Sequence, residues 1–157
     1  MTIILRPYEP DDGEDCLSLF CDTIRRVNRG DYSKAQIDAW ASPAIDLPSW
    51  KSRFDGRLAY VAMERDRIVG FTDMSRSGHL DRLFVSADHQ RRGIARQLLE
   101  RLFSDARGIG ITQITTEASI TAKPFFERLG FATIRRQTVE CRGVKMTNCK
   151  MRRFMVS

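Results

Sequence analysis

The stretch best equipped for chemistry runs from Leu80 to Leu102. An apolar segment, Leu80 to Val85, passes through Ser86-Ala87-Asp88-His89 into Gln90-Arg91-Arg92-Gly93-Ile94-Ala95, where a long helix is predicted to begin. This is the pattern of an anion site. The first N–H groups of a helix have no intrahelical acceptor, and the helix dipole favours negative charge there. Gly93 permits close backbone approach and unusual dihedrals, and Ala95 keeps the first turn small. Arg91, Arg92 and Arg96 are suited to charge-assisted bonds with phosphate. The same residues also suit a plain strand-to-helix turn with a capping glycine and solvated arginines. The chain has neither the G-x-x-x-x-G-K-[ST] of a P-loop nor the G-x-G-x-x-G of a dinucleotide fingerprint.

Groups that move protons lie close by in sequence. His79 and Asp81 stand two apart on one predicted strand and so share a face. Glu117 ends the next predicted strand. His79 has an ordinary pKa that suits proton transfer near neutrality without tuning. The four cysteines, Cys16, Cys21, Cys141 and Cys149, form no C-x-x-C pair, and His79 and His89 are the only histidines. No metal site is expected on that count, and the thiols read as free and mainly in or near the core.

The elements that must position these groups follow from pattern. Ile3 to Leu5, with Tyr8, reads as a first strand. Asp11-Asp12 is placed to cap a helix to about Val27, with Leu17, Phe20, Cys21 and Ile24 recurring at spacings of three and four. Ser33 caps a short helix through Trp40, and Pro48 opens another around Trp50 and Phe54. Strands are predicted over Leu58 to Met63, Ile68 to Met74 and His79 to Val85. The clearest helix is Gly93 to Arg107, with Ile94, Leu98, Leu99, Leu102 and Ala106 on one face. A strand from Ile111 to Ala118, a helix from Thr121 to Leu129 and a hairpin across Arg142-Gly143 complete the order. That order predicts a layered α/β (α+β) fold with a mixed, mostly antiparallel central sheet flanked by helices.

The chain has 157 residues, 42% apolar and 29% charged, which suits a single domain over residues 1–157. No apolar run approaches the roughly 20 residues of a membrane span. The N-terminal residues do not read as a signal peptide, so a cytoplasmic address is expected. The net charge is +6, concentrated around Arg91, Arg92 and Arg96 and between Lys145 and Arg153. A phosphate-bearing partner would use that charge; a solvated basic face would carry it as well. Aromatic residues are not interleaved among the arginines, so no nucleic-acid partner is expected.

Gln90-x-x-Gly93-x-Ala95 after an apolar strand resembles the acyl-coenzyme A motif of the GNAT (GCN5-related) N-acetyltransferases. Phe125-Phe126-Glu127-Arg128-Leu129-Gly130-Phe131 is similar to that family's closing motif. Tyr32-Ser33, Gln36-Ile37, Ala39-Trp40, Trp50, Glu117 to Pro124 and Val139 to Gly143 resemble its YafP-type branch, so the likeness covers nearly the whole chain.

The resemblance implies a fold in which two neighbouring parallel strands, here Leu80 to Val85 and Ile111 to Ala118, splay apart around acetyl-coenzyme A. Backbone groups of Leu83, Phe84 and Val85 would pair with the pantetheine arm, and those near Leu83 and Phe84 would face the thioester carbonyl. Donors so placed often contribute ~3 kcal/mol each to an oxyanion. Gln90, Arg91, Arg92, Gly93, Ile94, Ala95 and Arg96 would hold the pyrophosphate, with Ser119 and Phe126 completing the cofactor contacts. A substrate amine would attack the thioester directly, with Asp81 preferred over His79 as base and Glu117 a third candidate. Many relatives carry a proton-donating Tyr where this chain has Phe126, so the acid is open; a thiol of pKa about 8.5 tolerates protonation by water. Tyr32 offers an acid from the acceptor side. Cys141 or Cys149 offers a covalent route, but no base is evident beside either.

The acceptor would bind between the early helices and the sheet, against Tyr32, Gln36, Trp40, Trp50 and Asn148. A small-molecule primary amine is the expected acceptor. A protein or peptide amine, and a non-catalytic acyl-coenzyme A sensor, are the alternatives. A monomer and a homodimer are both compatible with the sequence.

Overall fold

The computed structural model describes residues 2–155. The strands are β1 (Ile3–Pro7), β2 (Leu58–Glu64), β3 (Arg67–Met74), β4 (His79–Val85), β5 (Gln113–Ser119), β6 (Ala132–Cys141) and β7 (Val144–Phe154). They form one sheet in the order β1-β2-β3-β4-β5-β7-β6. Every neighbouring pair is antiparallel except β4 and β5. The expected mixed, mostly antiparallel sheet is therefore present. The β6–β7 hairpin turns on Arg142 (φ 45°) and Gly143 (φ 81°), two left-handed residues as a tight two-residue turn requires.

Helices cover both faces. α1 (Gly13–Arg26) buries Cys16, Leu19, Phe20, Thr23 and Ile24, spaced by three and four along one stripe. Asp12 precedes it but does not cap it; its carboxylate turns back to Arg6, at 2.8 Å for each oxygen, and accepts from the Glu9 N–H. α2 (Lys34–Trp40) carries the expected Ser33 cap, reciprocated by Gln36. α3 (Leu47–Ser52) is capped by Asp46, which accepts from Ser49 N–H, and has Pro48 in its first turn. α4 (Ile94–Gly108) buries Ile94, Leu98, Leu99, Leu102, Phe103 and Ala106. α5 (Lys123–Arg128) is shorter than the predicted Thr121 to Leu129. The chain before it folds into a turn, with Ala122 N–H donating to the Ser119 carbonyl and hydroxyl.

The two faces differ in what they bury. α4 and α5 pack aliphatic side chains such as Leu98, Leu99 and Leu102 onto Ile114 and Met151. α1 to α3 enclose a mainly aromatic cluster that includes Phe20, Trp50, Phe54 and Phe71.

The parallel pair positions the site. β4 and β5 are in register only at His79↔Thr115 and Leu80↔Thr116. Beyond these, β4 stays with β3 as far as Gly70↔Val85, and β5 stays with β7 as far as Ser119↔Asn148. The strands therefore open as a wedge. Its apex is stitched by Thr116 Oγ1 donating to Leu80 O (3.0 Å) and by a hydrogen bond between His79 Nδ1 and Thr115 Oγ1 (2.9 Å). Gly78 lets the turn before β4 close against β5. Its φ is +98°, and a Cβ there would lie 2.5 Å from the Gln113 carbonyl oxygen. Among the described residues no helix is long and apolar enough to cross a membrane.

Candidate active site at the splayed strands

A cavity of about 1590 Å3 follows the wedge. It runs from the N-terminus of α4, along the β4 edge that β5 has left, into a lobe beneath α1 to α3. At the α4 end the groups on offer are main-chain donors. Gln97 N–H bonds to the Gly93 carbonyl and closes the first turn, so the N–H groups of Ile94, Ala95 and Arg96 have no intrahelical acceptor. Gly93 has φ 79°, and Arg91, which is not glycine, has φ 61°. Left-handed residues cost roughly 1–2 kcal/mol away from glycine and collect at functional sites. A Cβ added at Gly93 would meet nothing within 4 Å, so the approach to the helix end is open. Together these features fit a phosphate-bearing ligand.

The loop that carries this end is tied from several sides. Gln90 Nε2 donates to the carbonyls of Val85 (2.8 Å) and Ser86 (3.2 Å). Arg26 of α1 pairs with Asp88 through two bonds, 2.6 and 3.2 Å, and holds its carboxyl below the usual range. Arg92 turns away from the cavity and pairs with Glu64, which also faces His89 Nε2 at 3.4 Å. Arg92, expected from sequence among the phosphate contacts, is thus absent from the cavity lining, its guanidinium spent on Glu64. Arg96 lines the cavity while pairing with Glu100 one turn along α4.

At the apex, a β-bulge re-aims Asp81. Asp73 pairs with Arg82 and Met74 with Leu80, which leaves Asp81 as the extra residue of β4. Its Oδ2 lies 3.1 Å from Arg53 Nη2 and 4.0 Å from Arg82 Nε. His79, Asp81 and Glu117 all line the cavity. Arg82 is itself buried, bidentate to the fully buried Asp73 at 2.8 and 2.9 Å, and Arg57 reaches the same carboxylate at 2.6 Å. The Arg82 guanidinium lies 4.6 Å from the Trp50 ring centroid and 4.2 Å from that of Phe54. This ion cluster underpins the bulge.

Beyond Asp81 the lobe is aromatic. Trp40 is half-buried, edge-on to Phe20, Tyr32 and Phe84. Trp50 underlies the wall at 1% exposure, with its indole N–H spent on the Gly13 carbonyl (3.0 Å). The Tyr32 hydroxyl donates to Thr147 O (2.7 Å) and accepts from Ile120 N–H (2.9 Å). Burial, opposed by that N–H, raises its pKa, so the phenol keeps its proton. Asn148 lines the cavity and accepts from Gln137. Gln36 lies outside the cavity lining, caught between Ser33 and the Lys145 carbonyl. Cys141 lines the cavity beside Ala39 O and Arg142. Cys149 is buried.

The acetyltransferase (GNAT) domain family matches residues 28–153 of this chain. The chain belongs to the GNAT acetyltransferase family. It is 40% identical over 151 residues to the uncharacterized N-acetyltransferase YafP of Escherichia coli strain K12, covering 96% of this chain and 95% of that one. Among solved structures it is similar to the GCN5-related N-acetyltransferase from Rhodopseudomonas palustris, with a TM-score of 0.94, 32% identity and coverage of 98% and 96% of the two chains. The PaiA N-acetyltransferase from Thermoplasma acidophilum, solved with coenzyme A, shares the fold at a TM-score of 0.78 and 16% identity, covering 98% of this chain and 99% of that one.

Within this GNAT fold the wedge gathers most of the residues that sequence singled out. Leu83, Phe84, Val85, Gln90, Arg91, Gly93, Ile94 and Ala95 line one side, and Ser119 and Phe126 the other. Phe126 is 3% exposed and packs on Phe125 and Phe131. Sequence reasoning missed Arg53, Asn28, Arg128 and Arg142 in the lining. It also missed the Asp73–Arg82 pair. Opposite charges inside two neighbouring strands were the one signal for that pair. Arg53 had none, because it follows α3 among other polar residues.

Proposed function

We propose that this chain transfers an acetyl group from acetyl-coenzyme A to the primary amine of a small molecule, by direct attack while both are bound. One observation carries the reading: a single cavity joins free helix N–H groups, an unpaired strand edge and an aromatic lobe bearing a carboxylate. Bound acetyl-coenzyme A supplies the activated thioester. Leu83, Phe84 and Val85 offer it a strand edge, as in β-strand addition. The N–H groups of Ile94, Ala95 and Arg96, with the Arg91 and Arg96 side chains, hold its phosphates.

Asp81 accepts the proton that the amine must lose, and His79 and Glu117 stand on the same wall as alternative bases. Trp40 and Phe84 exclude water from one side of the acceptor. Phe126 holds no proton to give, and the Tyr32 hydroxyl is committed to Thr147, so the departing thiol takes its proton from solvent.

The test is calorimetric binding of acetyl-coenzyme A to the native chain and to Gly93→Trp. Micromolar affinity that the variant loses supports the phosphate cradle. No binding to the native chain overturns the reading. Binding without transfer to any amine would mean an acyl-coenzyme A sensor, and transfer only to peptides a protein acetyltransferase.

A further inference from the structure

We propose that the acceptor is zwitterionic: a small apolar amine that also carries a carboxylate, with Asp81 seating its ammonium group and Arg53 its carboxylate. The inference rests on the acetyl-transfer reading and names the acceptor class for it.

The resting structure holds a stand-in for the ammonium. Arg53 Nη2 lies 3.1 Å from Asp81 Oδ2, and the two side chains are 52% and 37% exposed, so the pair is open to exchange. An ammonium group that reaches Asp81 takes the place Arg53 now occupies. Arg53 stays in the lobe, because it ends α3 and its guanidinium lies 5.8 Å from the Trp50 ring centroid.

Charge balance then selects the acceptor. Arg53, Arg142, Asp81 and Glu117 bring charge to the wall of the lobe, two cations against two anions, with His79 beside them. Arg82 also lines it but is spent on Asp73. A simple monoamine arrives as a cation, displaces Arg53 and leaves two like charges facing each other in a partly desolvated space. A zwitterion exchanges partners with the resting pair and moves no net charge. Its carboxylate meets a guanidinium whose planar fork fits it with two bonds. Arg142, ion-paired to no acid among the described residues and held by the Ala39 carbonyl at 2.9 Å, adds a second cation to the same lobe. Trp40, Phe84 and Val139 supply the apolar wall for the rest of the molecule. An apolar amino acid has this chemistry.

The experiment compares matched sets: phenylalanine, leucine and methionine, each with its carboxamide and its decarboxylated amine. Binding is read from tryptophan fluorescence, and turnover with acetyl-coenzyme A from thiol release. The carboxylate members should bind at least tenfold tighter and give the higher kcat/KM. Arg53→Gln should erase that preference and Arg53→Lys should restore part of it, with acetyl-coenzyme A affinity checking that each variant is folded. Equal binding of acid and amide, or an Arg53→Gln variant that weakens all members alike, would overturn the proposal. So would native protein that binds acetyl-coenzyme A but none of the carboxylate members. Failure to bind acetyl-coenzyme A would instead overturn the reading beneath it.

Discussion

At the α4 end of the cavity the groups on offer are mainly main-chain N–H groups; at the α3 end they are side chains. The first end needs left-handed dihedrals at Arg91 and Gly93 and an aliphatic helix packed behind them. The second needs a bulge, a buried ion cluster and aromatic rings brought from α1, α2 and α3. Backbone donors are the same for every residue type but proline, so that end tolerates other side-chain changes wherever the dihedrals survive. Side-chain recognition has no such tolerance.

The sharpest way to break the comparison is at Asp73. Asp73→Asn leaves Arg82 charged and buried, with its bidentate partner gone and only Asp81, 4.0 Å away, still in reach. Removing one partner of a buried pair costs about 3–5 kcal/mol, a fall of roughly 10 °C in melting temperature for a chain this size. Thermal denaturation checks it, and a fall of only a degree or two would mean that Arg57 and Arg82 find other partners. The next effect is chemical. Asp81→Asn should lower kcat at least roughly 100-fold, the usual contribution of a general base. Acetyl-coenzyme A affinity, measured by calorimetry, should hold, because Asp81 lies at the other end of the cavity. Unchanged kcat would remove Asp81 as the base.

At the backbone end the expected effect is smaller. Gly93→Ala adds a methyl into open space, so only the dihedral is strained, by roughly 1–2 kcal/mol. Acetyl-coenzyme A affinity should weaken about tenfold with kcat nearly unchanged. A larger loss would mean that the Cβ itself obstructs the ligand.

The smallest effect lies outside both ends and serves as a control. Burial acts to raise the Asp12 pKa, but the Arg6 hydrogen bonds, the Glu9 N–H and the Arg6 charge together hold it below its ordinary 3.8. A carboxyl lowered on folding stabilises fully above the unfolded value, and the stabilisation is lost as pH falls through the folded one. Asp12→Asn should therefore cost about 1–2 kcal/mol at pH 7 and flatten the loss of stability below pH 4. Denaturant melts across that pH range read it, and an unaltered slope would assign the acid sensitivity to other carboxyls. Burial also pushes the Cys16 thiol up to about 12, so it should resist thiol reagents at pH 8 while the protein is folded.

The fold was legible because its elements carry local signals. The spacing of Leu98, Leu99, Leu102 and Ala106 reads as a helix, and Arg142-Gly143 reads as a hairpin turn. Ser33 and Gln36 mark the start of α2. Misreadings arose where a polar side chain took a partner outside the helix it was expected to cap or extend. Asp12 left its helix for Arg6, and Ser119 with Ala122 turned the chain before α5. At the site, the helix N-terminus was legible from Gly93 and its flanking residues. Residue type marked Trp50 and Gln36 as acceptor contacts; Trp50 lines the cavity with its indole N–H spent on Gly13, while Gln36 lies outside the lining, its amide held by Ser33 and Lys145.

By itself, then, the sequence determined the order of strands and helices, the family and the glycine-led start of α4, because each depends on residues near one another in the chain. Tertiary structure alone decided the width of the wedge, the bulge that aims Asp81 and the pairing of Arg53 with it. Those depend on register between strands and on side chains that meet across 28 positions of sequence. No local pattern encodes which of many exposed charges will meet at that distance, since each alone is equally content in water.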